Sequence, residues 1–241
     1  MNNFGVIFKH YLGRSLREKR ELLLLIAIPL GIMLLNLAPA LAEGIDISTM
    51  GFMPWFVAIM VLSFQFFGGG YILDYVLKDF RTDMRFRLLS APISKGTFIF
   101  ALAAANFVMT LIPGIIVLLV MMLGFGVNMG SLAVLTAIML LVCTVSNLFA
   151  VIVVLLAPTK KLAGGIHLIS CFVLMFGSGS MPFTVDSEIA DFLFTNGTPI
   201  TLGVQAILEG GDIALRNMGI YGIIIAGLSA VVFVLTRRKP I

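Results

Sequence analysis

The sequence predicts an all-α integral membrane protein with six transmembrane helices, an interfacial helix before the first, a helix in the first inner loop and a re-entrant segment between spans five and six. Three observations carry this expectation. Hydrophobic residues make up 60% of the 241, charged residues only 12%, and mean hydropathy is +1.10, whereas a soluble domain carries about 25% charged residues. Six apolar stretches reach the roughly 20 residues that a helix needs to cross the hydrocarbon core. Of the 16 Lys and Arg, all but Arg216 fall in four short segments that six crossings place on one side. Cytoplasmic loops retain Lys and Arg, so both termini are expected in the cytoplasm.

Residues 1–21 carry Phe4, Ile7, Phe8, Tyr11, Leu12 and Leu16 at helical spacing against Lys9, Arg14, Arg17 and Arg20. That is the pattern of an amphipathic helix lying in the inner interface. The spans follow near 22–42, 52–73, 97–123, 131–157, 163–183 and 217–236. Each is helical because backbone groups in lipid must find their partners within the segment. The first ends in Ala40-Leu41-Ala42, which resembles a signal-peptidase site, but the charged stretch before it is long and it is taken as a retained span. Pro29, Pro39 and Pro113 should kink their helices, and Gly68-Gly69-Gly70 should loosen the second span or let a neighbour approach closely.

The link from Gly124 to Gly130 has no charge and forces an antiparallel hairpin. Residues 184–216 are too long for a turn and carry Asp186, Glu188, Asp191, Glu209 and Asp212 on the outer side. Within them Thr198 is a helix cap, Pro199 a first helical residue and Gly210-Gly211 a stop. A short helix over 198–208 therefore dips back into the outer leaflet. Residues 74–96 form the longest inner loop, where Val76, Leu77, Phe80, Met84 and Leu88 recur three or four apart and the charges point elsewhere. This is a second amphipathic helix, fit either to cap the bundle or to dock in a partner's groove. No repeat or soluble domain interrupts the chain, so 1–241 reads as one membrane domain.

Several functions are disfavoured. The basic residues cluster at span ends rather than in one patch, which points to anionic lipid and not to nucleic acid. Cys143 and Cys171 lie inside apolar stretches, away from any disulfide framework. His167 has no ionisable partner deep in a span, which counts against a proton pump, and neither paired aspartates nor a His-Glu-x-x-His helix supports a protease. No metal site is expected. Candidate polar contacts at membrane depth are Asn36, Gln65, Asn106, Thr110, Thr144, Ser146, Asn147, Ser170 and Ser178, most of them ordinary interhelical bonds. The 14 Met and 20 Phe favour a hydrophobic or amphipathic cargo over a small ion.

The run Asp79-Phe80-Arg81-Thr82-Asp83-Met84-Arg85-Phe86-Arg87-Leu88-Leu89-Ser90-Ala91-Pro92-Ile93-Ser94-Lys95 resembles the signature of ABC-2-type permeases, the membrane subunits of ABC exporters. The likeness extends to the interfacial helix, the six spans and the paired proline-bearing stretches Gly177–Pro182 and Asn196–Pro199. Asp79 stands where the family often has Glu, and Ala91 intervenes before Pro92. The resemblance implies a coupling helix in which Asp79, Phe80, Thr82, Asp83, Met84, Leu88 and Leu89 engage an ATPase. It implies a substrate cavity with Gln65 and Ser170, because the second and fifth spans line it in similar transporters, and an outer gate at Met181, Pro182 and Pro199.

The chain has no Gly-x-x-x-x-Gly-Lys-Ser/Thr loop, so ATP and Mg are expected in two copies of a separate ABC ATPase subunit, with a second copy of this chain completing a homodimer. The expected function is outward transport of an amphipathic drug, antimicrobial peptide or lipid-like molecule across a bacterial inner membrane. Two alternatives are a lipid-linked polysaccharide flippase, disfavoured by the single Trp55 and four Tyr, and a membrane sensor or assembly factor.

Overall fold

A computed structural model describes residues 3–47, 50–71, 73, 75, 95–180 and 197–238. Its helices are α1 (Asn3–Arg17), α2 (Lys19–Ala42), α3 (Met53–Gly68), α4 (Lys95–Leu119), α5 (Leu132–Leu156), α6 (Lys160–Met175), α7 (Pro199–Glu209) and α8 (Gly211–Arg238). α4 and α6 each end in a wider π turn, over Val120–Gly124 and Phe176–Ser180. No strand occurs among the described residues. Five helices, α2, α4, α5, α6 and α8, are long and apolar enough to cross a membrane, which is the make-up of a multi-pass membrane protein.

α3 is the exception and the axis. It packs against α2, α4, α5, α6 and α7, and Val57 to Leu62 are all buried on it. Its 16 residues rise only about 24 Å, short of a core about 30 Å thick. The chain turns at Gly69 and Gly70, then Tyr71, Leu73 and Tyr75 are helical again. The glycine run thus breaks the expected span instead of merely loosening it. A side chain at Gly69 would collide with Ser146 of α5, so close packing is the reason for glycine there. Pro29, Pro39 and Pro113 sit inside α2 and α4, which continue through them.

The core divides into two clusters along the bundle axis. One joins the second half of α2, most of α3, the last turns of α4, the first half of α5, α7 and the start of α8. The other joins α1, Leu73, Tyr75, the first half of α4 and the last turns of α5, with Val232 and Leu235 of α8 packed against it. The first and last described helices therefore meet the bundle at the same end. α7 is at the opposite end, where Val127 and Met129 of the α4–α5 hairpin are buried with it. That hairpin turns on Gly126 and Gly130, both at positive φ, and Asn128 Oδ1 accepts from Gly130 N at 3.0 Å.

α1 lies on α4 through aromatic contacts, Phe4 on Phe100 and Tyr11 edge-on to Phe98 at 5.6 Å. Its stripe differs from the expected one at a single position. Leu16 is 48% exposed and Ser15 takes the inward place, because a Ser15 hydroxyl meets Tyr75 there. α8 begins at Gly211, six residues before its expected apolar start, since Asp212, Arg216 and Asn217 continue the helix beyond the hydrocarbon ruler. The expected helix in 74–96 and the first part of 184–216 lie outside the described residues, apart from Tyr75 and the start of α4.

Candidate functional site

At Gly69 and Gly70 the helix ladder tightens, with Gly69 N donating to Phe66 O at 3.2 Å and Gly70 N to Phe67 O at 3.0 Å, and neighbouring helices add side-chain donors beside it. Ser146 Oγ on α5 donates to Phe66 O at 2.8 Å, and Asn106 Nδ2 on α4 lies 3.4 Å from Gly68 O. The same Asn106 amide donates to Asn147 Oδ1 at 2.6 Å, while Asn147 Nδ2 donates to Cys143 O at 2.8 Å. Thr110 Oγ1, one turn after Asn106, bonds Phe107 O at 3.1 Å and faces Cys143 Sγ at 3.5 Å. Four side chains from α4 and α5 thus form a polar seam beside the break. Interhelical bonds of this kind contribute about 0.6 kcal/mol each.

α6 closes the seam with His167. Its ring stacks on Phe66 and lies tilted against Phe149, at centroid distances of 6.4 and 6.0 Å, and Nε2 faces Cys171 Sγ at 3.5 Å. A Cβ added to Gly70 would stand 2.9 Å from the imidazole, so the break and this ring fit each other. His167 Nδ1 and Asn106 Oδ1 are buried with no hydrogen-bond partner among the described residues.

Gln65 occupies a separate place. It is 2% exposed, neither amide atom has a partner among the described residues, and it lines a small cavity of about 10 Å³ with Pro29, Thr110, Pro113 and Gly114. The proline at 113 leaves the Met109 carbonyl without its intrahelical donor close by. Ser170 is half-buried on α6 and is not among the residues lining that cavity. Of the other polar candidates, Asn36 is exposed and bonds back to Ile32 O, Thr144 bonds back to Leu140 O, and Ser178 bonds Met175 O at 2.6 Å.

The end opposite the termini is built around α7. Thr198 and Thr201 cap it reciprocally, with Thr201 N donating to Thr198 Oγ1 at 3.1 Å, and Pro199 is its first residue. Gly210 and Gly211, at φ +64° and +51°, turn the chain directly into α8. Asn217 Nδ2 donates to Leu202 O at 2.9 Å and the Tyr221 hydroxyl donates to Pro199 O, so α8 grips both ends of α7's first turn. Gly203 lets α7 press on α3: a Cβ there would meet Leu62 Cδ1 at 2.7 Å and Ile138 Cγ2 at 3.0 Å. Asn217, Tyr221 and Gly203 are not singled out by hydropathy. Their signal is a bare glycine inside a short helix and a polar pair at helical spacing at the head of a span.

At the other end Ser15 Oγ donates to the Tyr75 hydroxyl at 2.9 Å, which donates to Glu18 Oε2 at 3.0 Å. The Arg14 guanidinium lies 4.9 Å over the Tyr75 ring. Tyr75 therefore ties the root of the 76–94 segment to the α1–α2 junction. Asp79, Phe80, Thr82, Asp83, Met84, Leu88, Leu89, Met181 and Pro182 lie outside the described residues. Among the described residues no Asp, Glu, Lys or Arg is buried and no cluster suits a metal ion, so the interior offers hydrogen bonds rather than charge. No protein-family model and no curated protein sequence matches this chain.

Proposed function

We propose that the chain is the membrane-spanning permease subunit of an ATP-driven exporter of the ABC-2 type, crossing the membrane six times with its termini in the cytoplasm. It works with two copies of a separate ATPase that binds ATP and Mg, and with a second copy of itself. The cargo is an amphipathic drug, antimicrobial peptide or lipid-like molecule, moved outward across a bacterial inner membrane.

The observation that carries this reading is the double attachment of α3. At one end it is packed against α7, the short helix held at depth by α5 and α8. Past its glycine break, Tyr75 joins it to α1 and α2 at the root of the loop that carries the permease-like run. A push on that loop is delivered both to the α1–α2 junction and, across the turn at Gly69 and Gly70 and along α3, towards the far end. The broken span supplies the compliance such a motion needs, and Ser146 and Asn106 add side-chain bonds to its carbonyls at Phe66 and Gly68. In this scheme Pro199 belongs to the outer gate, and Gln65 and Ser170 face the cargo's route when the helices part.

The test is copurification from native membrane in mild detergent, with the wild type and with Phe80→Asp and Met84→Asp. An ATPase that copurifies, is lost in both variants and is stimulated by amphipathic cargo in the reconstituted complex supports the permease. An intact bundle with no ATPase refutes it in favour of a sensor or assembly role.

A further inference from the structure

A second feature is independent of export and lies on the flank of the bundle. α4 and α8 both pack on α5, and Gly96, Ala103 and Ala104 of α4 line the gap between them. The result is a lateral groove of about 860 Å³, floored by Leu148 and Val151 of α5. That is within the range of roughly 300–1,000 Å³ for small-molecule sites.

Apart from the exposed Ser229 hydroxyl, the uncharged polar side chains in its walls are already engaged. Thr144 bonds Leu140 O, Thr236 bonds Phe233 O, and the Asn147 amide is held by Asn106 and Cys143. A sugar or peptide would find little to bond along this surface, whereas a hydrocarbon chain needs nothing from it. Length points the same way. From Gly96 to Val108 the groove follows α4 for about 18 Å, which is close to one leaflet of a core about 30 Å thick.

Charge fixes the orientation. Among the described residues the one ionic side chain that lines the groove is Arg237, exposed at the end shared with α1, its guanidinium 4.2 Å from the centre of the Phe233 ring. Phe8 and Phe100 form an aromatic rim at the same end, as side chains do at the level of lipid headgroups. We propose that this groove binds an anionic phospholipid of the leaflet at the termini end, with one acyl chain between α4 and α8 and the phosphate at Arg237.

The test is native mass spectrometry of the protein reconstituted in mixed phosphatidylglycerol and phosphatidylethanolamine, then extracted in mild detergent. The wild type is expected to retain phosphatidylglycerol in preference. Ala103→Phe, which fills the groove from its wall, should remove the bound lipid. Arg237→Gln, at an exposed position outside the core, should weaken retention about fivefold, the factor that one interfacial cation supplies. Equal retention of both lipids by the wild type, or undiminished phosphatidylglycerol on Ala103→Phe, overturns the proposal. So does a change from dimer to monomer in Ala103→Phe with lipid unchanged, which would assign the groove to contact between copies. Arg237→Gln keeps the test decisive if the filled variant does not fold.

Discussion

The two short helices, α1 and α7, sit at opposite ends of the same bundle and are held in opposite ways. α7 is buried along most of its length, with Ile200 to Val204, Ala206 and Ile207 all inside and backbone carbonyls bonded by α8. α1 covers the bundle with one face only: Ile7, Tyr11 and Ser15 are buried, Val6, Lys9 and Arg17 are exposed. One is enclosed by the core and the other lends a single face to it. In lipid the apolar effect between helices is weak, so what separates them is close packing plus satisfied backbone on one side against ring contacts and a hydroxyl relay on the other. It follows that damage at α7 should be global and damage at α1 local.

The hardest blow to that contrast is Gly203→Leu. There is no room for even a Cβ beside Leu62 and Ile138, and overpacking of this kind costs about 1–3 kcal/mol or more. The expected outcome is a lower midpoint of thermal unfolding in detergent, with proteolysis near 197–210. An unchanged midpoint would mean that α7 is not part of the core. Asn217→Leu should come next, at about 1–3 kcal/mol, because the Leu202 carbonyl loses its buried side-chain donor. Hydrogen exchange separates the two cases: both variants should raise exchange throughout the bundle, not in α7 alone.

Tyr75→Phe probes the other region. It keeps the ring against Tyr11 but removes the hydroxyl shared by Ser15 and Glu18, worth about 0.5–1.5 kcal/mol. Faster exchange confined to α1 and the α1–α2 junction, with the global midpoint nearly constant, is the expected result. A global loss equal to that of Asn217→Leu would abolish the distinction. Glu18→Gln should do less still, since Arg14 and Glu18 are 3.9 Å apart with about a third of each side chain exposed, and such pairs contribute about 0–1 kcal/mol.

The two regions also differ in how far the sequence revealed them. Five of the long apolar helices were legible because lipid demands long apolar runs, and α7 was legible because Thr198, Pro199 and Gly210 are local signals that need no tertiary context. What hydropathy cannot encode is the rotation of one helix against another. That rotation decides that Ser146 answers Phe66, that Asn106 pairs with Asn147, and that Ser15 rather than Leu16 turns inward. The lateral groove was invisible for the same reason: Gly96, Ala103 and Ala104 look like ordinary small residues until they are seen to line the gap between α4 and α8. The triple glycine was readable as a weak point, but only the position of Ser146 explains why Gly69 must be glycine.

The smallest effect is expected midway between the two regions, at Gln65. Its amide lies against the bare Cα of Gly114 and finds no partner among the described residues, so Gln65→Leu removes two buried polar atoms without stranding another. Replacing an unpaired polar group by an apolar one of similar shape is neutral or stabilising, so the unfolding midpoint should stay level or rise slightly. The adjoining cavity of about 10 Å³ has room for one water, and a water there would reverse the sign by pairing the amide with carbonyls near Pro113. A loss of stability of about 1 kcal/mol or more would therefore identify Gln65 as one end of a hydrated joint between α3 and α4. An unchanged midpoint would leave the amide, like the buried Ser63 hydroxyl on the same helix, a polar group that neither end of the bundle claims.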